Sequence, residues 1–305
     1  VENNKWSSAS IPDQSGKNIL ITGANSGLGL EASTVLIQKG ANVIMAVRNM
    51  DKGKEAIQQI KAIHPSANPA LMHLDLSDLD SIRRFSEEFH NRYSSLNVLI
   101  NNAGLMMPAR KEITRQGFEI QMGTNHLGHF ALTGLLLDRI KGTAGAVVAT
   151  QSSLMHKVRG ADIHFDDLNW DKSYNKWQAY AQSKLANLLF TYELDRQFKK
   201  HQINARATAG HPGYTATNLQ RTSGFFVVHV INKLMGQKVE IGALPILRAA
   251  TDNSLKGGEY LGPTKMMEMH GYPEIVKSSL KSHDLQLAGR LWELSEKLTG
   301  IHYTF

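Results

Sequence analysis

Short apolar, β-branched runs alternate with helix-period segments along most of the chain, and this alternation narrows the folds open to it. Lys17 to Ala24 reads KNILITGA, a buried-strand pattern bounded by glycines. GLEASTVLIQKG, from Gly29 to Gly40, has helical spacing and stops at a glycine, as helices often do. ANVIMAVRN predicts a second strand, and DKGKEAIQQIKAIH a charged amphipathic helix closed by Pro65. PALMHLDLSD, SIRRFSEEFHNRY and LNVLINNAG continue as strand, helix and strand. A long helical pattern runs from about Gly117 to Ile140, followed by GAVVATQSS as a fifth strand. AYAQSKLANLLFTYELDRQFKK is a second long helix, and INARATAGHPG a sixth strand. Mixed helix and loop follow from Tyr214 to about Pro245; then GALPILRAATD reads as a helix and GGEYLGP as a short final strand. RLWELSEKLTG, near the C-terminus, is an amphipathic helix. Near-continuous apolar strands separated by helices mean a parallel sheet buried on both faces. The fold class is therefore α/β: a doubly wound parallel sheet in a Rossmann-like three-layer sandwich. With no internal repeat or linker, residues 1–305 read as one domain.

Composition removes several function classes. At 42% hydrophobic residues the chain can bury a large core. It has no cysteine, hence no disulfide framework, thiolate metal site or cysteine nucleophile. The net charge of +7 is not concentrated in a dense Lys/Arg run, so no nucleic-acid partner is expected. No stretch reaches the roughly 18 apolar residues of a membrane span. VENNKWSSASIPDQSG lacks the apolar core of a signal peptide, which favours a cytoplasmic location. His126 and His129 have a spacing that can hold a metal, but without acidic or Cys partners they read as packing or capping residues, and no metal is expected.

Ile21 to Gly29 reads ITGANSGLG and falls at the first strand-to-helix turn. In a doubly wound sheet that turn lies at the carboxyl edge, where ligands bind. A helix N-terminus there offers free N–H groups and positive dipole charge, and glycines let a pyrophosphate approach the backbone. The spacing Gly23-x-x-x-Gly27-x-Gly29 differs from the G-x-G-x-x-G fingerprint. Its position still points to a dinucleotide. At the end of the second strand, where an NAD site would usually place an acidic residue, Val47, Arg48 and Asn49 stand. A guanidinium suits a 2′-phosphate, so NADP(H) is favoured over NAD(H).

Tyr180 and Lys184 lie four apart on the second long helix and share a face. A phenol of pKa about 10 is a poor acid–base catalyst near neutrality. A neighbouring ammonium would stabilise phenolate and lower that pKa.

With these motifs together the chain resembles the short-chain dehydrogenase/reductase family over nearly its whole length. TGANSGLG is similar to the family's cofactor turn and implies contacts from Gly23, Asn25, Ser26, Gly27, Leu28 and Gly29. LDLSD matches the adenine-pocket segment, with Asp75 and Leu76, and NNAG the signature after the fourth strand, with Asn102, Ala103 and Gly104. HPGYTAT matches the loop that holds the nicotinamide amide, with Pro212, Gly213, Thr215 and Thr217. The resemblance implies a catalytic tetrad of Asn125, a serine, Tyr180 and Lys184, the last two also touching cofactor. Counting back from LMH gives Ser153 and counting forward from the valines gives Ser152; we take Ser153. The implied mechanism has Ser153 polarising a carbonyl, Tyr180 giving the proton, Lys184 lowering the Tyr180 pKa and holding the ribose, and Asn125 orienting a water.

SKLANLLFTYEL, HPG, GGEYLGP and the long insert before Tyr180 look most like the branch of retinol dehydrogenases, WW-domain oxidoreductase and protochlorophyllide reductase. The expected function is hydride transfer between NADP(H) and an apolar carbonyl or alcohol, retinal-like or another lipophilic aldehyde or ketone. The alternatives are reduction of a carbon–carbon double bond and a non-catalytic NADP(H)-binding sensor. Residues at about 214–245, with apolar GFFVVHVINKLMG (Gly224 to Gly236), read as a substrate lid, with shallow peripheral membrane contact ranked lower. Leu105, Met106 and Met107 would wall an apolar substrate, the methionines adaptably. His211 reads as a structural histidine at least as readily as a ligand contact. The resemblance also allows a homodimer through the two long helices.

Overall fold

The computed structural model describes residues 5–215 and 237–305. Eight strands form one sheet in the order β3-β2-β1-β4-β5-β6-β7-β8. They are β1 (Asn18–Thr22), β2 (Asn42–Val47), β3 (Ala70–His73), β4 (Val98–Asn101), β5 (Ala146–Gln151), β6 (Ala205–Gly210), β7 (Tyr260–Lys265) and β8 (His270–Ile275). All neighbours pair in parallel except β7 and β8, which are antiparallel. The final strand expected at GGEYLGP is thus followed by an eighth, which the sequence pattern did not disclose. HGYPEI lacks the apolar continuity of a strand buried on both faces, as befits a sheet edge.

The helices are α1 (Gly27–Gln38), α2 (Met50–Ile63), α3 (Leu79–Arg92), α4 (Ile120–Met122 and Gly128–Leu135, joined by a π-helical stretch over Gly123–Leu127), α5 (Leu137–Lys141), α6 (Lys176–Lys200), α7 (Val239–Gly242), α8 (Leu244–Thr251) and α9 (Leu285–Thr299). Each inner strand splits its side chains between two cores. Ile19, Ile21, Val43, Met45, Val98, Ile100, Val147 and Ala149 meet residues of α1, α2 and α8. Leu20, Ile44, Ala46, Leu99, Ala146 and Val148 meet residues of α3, α4 and α6. This is why the strands read as continuous apolar runs. β1 lies between β2 and β4, so the chain reverses direction across the sheet there, and the carboxyl ends of β1 and β4 frame the crevice.

The long helical pattern from Gly117 begins later than expected, because Gly117 sits in a left-handed turn at φ 84° and the helix starts at Ile120. Over the outer faces of α4 and α6 lie α9 and the last residues of the chain. Trp292 packs against Phe130 and Phe190, with ring centroids 5.2 and 5.8 Å apart, and the Tyr303 hydroxyl donates to the Phe130 carbonyl at 2.7 Å. The helices through which self-association is expected therefore carry the chain's own C-terminus at these residues. Among the described residues no helix is long and apolar enough to cross a membrane. Thr217 and residues 216–236 of the expected lid, with Gly224 to Gly236, lie outside the described residues.

Candidate active site

Gly23, Asn25, Ser26, Gly27, Leu28 and Gly29 form the turn from β1 into α1. A Cβ on Gly29 would strike the Gly23 carbonyl and the Asn102 amide, so the turn closes only around glycine. Ser26 stands at the N-cap of α1, yet its side chain caps nothing. By contrast, α2, α3, α6 and α9 are capped by Asn49, Asp78, Asn175 and Asp284. The first N–H groups of α1 are left for an anion, and a dinucleotide pyrophosphate fits that cradle.

Around it stand the other expected contacts. Arg48 and Asn49 follow β2; both are exposed, and among the described residues no carboxylate pairs with Arg48. The Asn49 side chain accepts from the Lys52 N–H at 3.0 Å, which commits one of its polar atoms to the helix cap. Asp75 is likewise partly engaged, accepting from the Ser77 N–H at 2.9 Å and its hydroxyl at 2.6 Å. Leu76 is buried, its carbonyl facing Gly128. The Asn102 side chain donates to the Thr22 carbonyl at 2.9 Å, and the backbone N–H groups of Asn102 and Ala103 both donate to the Thr22 hydroxyl. A Cβ on Gly104 would lie 3.1 Å from Asn125 Oδ1 and 3.7 Å from Lys184 Nζ, which places this turn against Asn125 and Lys184. After β6 come Pro212, Gly213 and Thr215, with the Thr215 hydroxyl donating to the Pro212 carbonyl at 2.7 Å.

Asn125 sits in the π-helical stretch of α4, a feature often found where a helix serves a site. Its side chain accepts from the Leu105 N–H at 2.9 Å and donates to the Leu105 carbonyl and the Ser183 hydroxyl, both at 3.0 Å. Its carbonyl accepts from His129 Nδ1 at 3.0 Å. The two serines after β5 part company. The Ser152 hydroxyl donates to the Lys184 carbonyl at 2.9 Å, whereas the Ser153 hydroxyl faces that of Tyr180. Lys184 Nζ donates to the Gln151 carbonyl at 3.1 Å and stands 5.6 Å from the centre of the Tyr180 ring.

The electrostatics differ from the expectation that Lys184 lowers the Tyr180 pKa. Both side chains are buried, and burial opposes charge. It pushes the Tyr180 phenol up to about 12, against a smaller opposing pull from Ser153, and brings the Lys184 ammonium down to about 8. Tyr180 is a neutral phenol, in the form that can give a proton.

Some residues of this region were assigned no role from the sequence. Gln151 acts through its carbonyl, which also accepts from Asn187 at 3.0 Å. Glu119, fully buried, accepts from the N–H groups of Gln121 and Met122 and starts α4. Gln121 in turn accepts from the Met107 N–H at 2.7 Å, holding Met107 at φ 49° and buried. The expected apolar wall therefore reduces to Leu105 and Met106, which remain partly exposed. His126 and His129 bond to Ser295 and to Thr22 and Asn125, and no cluster of metal ligands exists among the described residues.

Sheet, glycine turn and buried Tyr–Lys pair define a Rossmann-type oxidoreductase. Residues 17–164 match the family model of short chain dehydrogenases. Retinol dehydrogenase 13 of Homo sapiens is 37% identical over 305 residues, covering 97% of this chain and 87% of that protein. The chloroplastic short-chain dehydrogenase TIC 32 B of Brassica napus is 36% identical over 290 residues, covering 92% and 87%. The crystal structure of an uncharacterized protein from Mycobacterium Paratuberculosis superposes with a TM-score of 0.82 at 40% identity, covering 99% of this chain and all of that one. The chain belongs to the short-chain dehydrogenase/reductase family, nicotinamide-dependent oxidoreductases acting on the CH–OH/C=O pair.

Proposed function

We propose that this protein uses NADP(H) to interconvert an apolar aldehyde or ketone with its alcohol. The observation that carries this reading is the meeting of the Ser153 and Tyr180 hydroxyls beside buried Lys184. When bound, the nicotinamide supplies the hydride. Ser153 donates a hydrogen bond to the carbonyl oxygen, where negative charge develops. Tyr180, kept neutral by burial, gives that oxygen its proton. Lys184 would hold the ribose hydroxyls of a bound cofactor, and it keeps a positive charge close to the phenol as the phenol loses its proton. Asn125 fixes the backbone around Leu105 and orients a water toward Lys184.

Arg48, exposed and free of a carboxylate among the described residues, supports the 2′-phosphorylated cofactor. Leu105 and Met106, beside Gly104, support an apolar substrate, as do relatives named retinol dehydrogenases. The test is NADPH consumption with a panel of aldehydes and ketones from short aliphatics to retinal, comparing wild type with Tyr180→Phe. Turnover that collapses in the variant supports the reading. NADPH binding without turnover on any carbonyl would favour double-bond reduction or a sensor.

A further inference from the structure

The β7–β8 hairpin turns through Met266, Met267 and Glu268, three successive non-glycine residues at φ 49°, 54° and 64°. Left-handed backbone is unfavourable for such residues, and a run of them persists only where the surroundings impose it. What surrounds Glu268 is a pair of cation and imidazole from two separate segments. Lys157 Nζ lies 2.8 Å from both carboxylate oxygens, and His211 Nε2 lies 3.3 Å from one.

The first segment bears Ser153, and the second is the loop that the family resemblance expects to hold the nicotinamide. Lys157 ends the short helical turn that starts at Ser153, and the neighbouring His156 Nδ1 donates to the Ser153 carbonyl at 2.6 Å. His211 opens the 211–215 loop. Its Nδ1 accepts from the Gly213 N–H at 3.3 Å, so in the neutral ring the proton sits on Nε2, which approaches a Glu268 oxygen to 3.3 Å without the alignment of a hydrogen bond; the contact is electrostatic. The His211 ring is fully buried, and only a glycine at position 262 of β7 leaves room for it. The hairpin also grips this loop through its backbone, since the Tyr214 N–H donates to the Met269 carbonyl at 2.9 Å.

We propose that Glu268 is a positioning residue. Its carboxylate ties the Ser153 segment to the 211–215 loop, and so would hold the Ser153 hydroxyl in register with a nicotinamide bound at that loop. The inference rests on the function proposed above, but its first test needs neither cofactor nor turnover. Amide hydrogen exchange of the apo protein should quicken in residues 153–158 and 211–215 together in Glu268→Gln, with the melting temperature within about 2 °C of wild type. Unchanged exchange in either segment overturns the proposal. In turnover, Glu268→Gln and Lys157→Ala should each lower kcat about tenfold with the carbonyl KM within about twofold, and the double variant should fall no further. The isotope effect from NADPH deuterated at the transferred position should rise. Faster exchange with unchanged kcat and isotope effect also overturns it. Faster exchange in a protein that reduces no carbonyl sinks the proposed function instead, while the tie between the two segments stands.

Discussion

The Thr22 hydroxyl donates to His129 Nε2 at 2.9 Å, and the direction of this bond is fixed by its neighbours. His129 Nδ1 must donate, because its partner is the Asn125 carbonyl. Nε2 is then the acceptor in the neutral ring, and the Thr22 oxygen is left to accept from the N–H groups of Asn102 and Ala103. One threonine at the end of β1 thus joins the turn after β4 to the π-helical stretch that bears Asn125. Thr22→Val leaves two N–H donors and a ring nitrogen without their partner. It should cost about 3 kcal/mol, read as a shift in the urea unfolding midpoint. An unchanged midpoint would mean that water replaces the hydroxyl.

Acid should destabilise the protein through buried histidines. Burial brings His126 down to about 3, and His129 and His156 to about 4, from the ordinary 6.5. As pH falls below 6.5 the unfolded chain takes up these protons first, so stability is full above that value and declines as pH falls toward 4. Each histidine contributes on the order of 3 kcal/mol over the full window. Denaturant unfolding at about pH 7 and pH 4.5 should show the loss, and His126→Phe should reduce it.

At alkaline pH the buried pair gives two slopes of opposite sign. Lys184 titrates at about 8 when folded and near 10.5 when unfolded, so its contribution to stability rises with pH between those values. Tyr180 titrates at about 12 when folded and near 10 when unfolded, so its contribution falls from pH 10 upward. Lys184→Met should flatten the first slope and Tyr180→Phe the second in unfolding measured across this range.

Ser153→Ala and Tyr180→Phe should lower kcat by about 100-fold and 1,000-fold, with NADPH binding retained by fluorescence. Ser152→Ala should leave the chemistry far less affected, since that hydroxyl bonds the α6 backbone. Equal losses at the two serines would contradict the assignment.

Arg48→Glu should weaken NADPH binding about 10- to 100-fold and change NADH binding only a few-fold. A parallel loss for both cofactors would remove the 2′-phosphate role from Arg48.

The C-terminal helix and tail should keep the protein monomeric in light scattering, because Trp292 and Tyr303 cover Phe130 and Phe190. Removing residues 301–305 uncovers Phe130 and should produce self-association or lower the melting temperature. A dimer of the full chain would place its interface away from these aromatic residues.

The sequence by itself determined the layers of the fold, the glycine turn and the Tyr180–Lys184 pair. These are local in register: a strand buried on both faces is a continuous apolar run, a tight turn needs glycine, and residues four apart on a helix share a face. Tertiary structure decided the rest. Which serine faces Tyr180 depends on how the chain leaves β5 relative to α6, two elements that meet only in space. The direction of the Tyr180 and Lys184 shifts depends on how much water the packed elements exclude, and here burial outweighs the attraction that spacing alone suggested. The edge strand β8, the Glu268 contacts to Lys157 and His211, and the aromatic cover from Trp292 and Tyr303 all join residues distant in sequence. No local period encodes them, because each exists only once the sheet has brought its partners together.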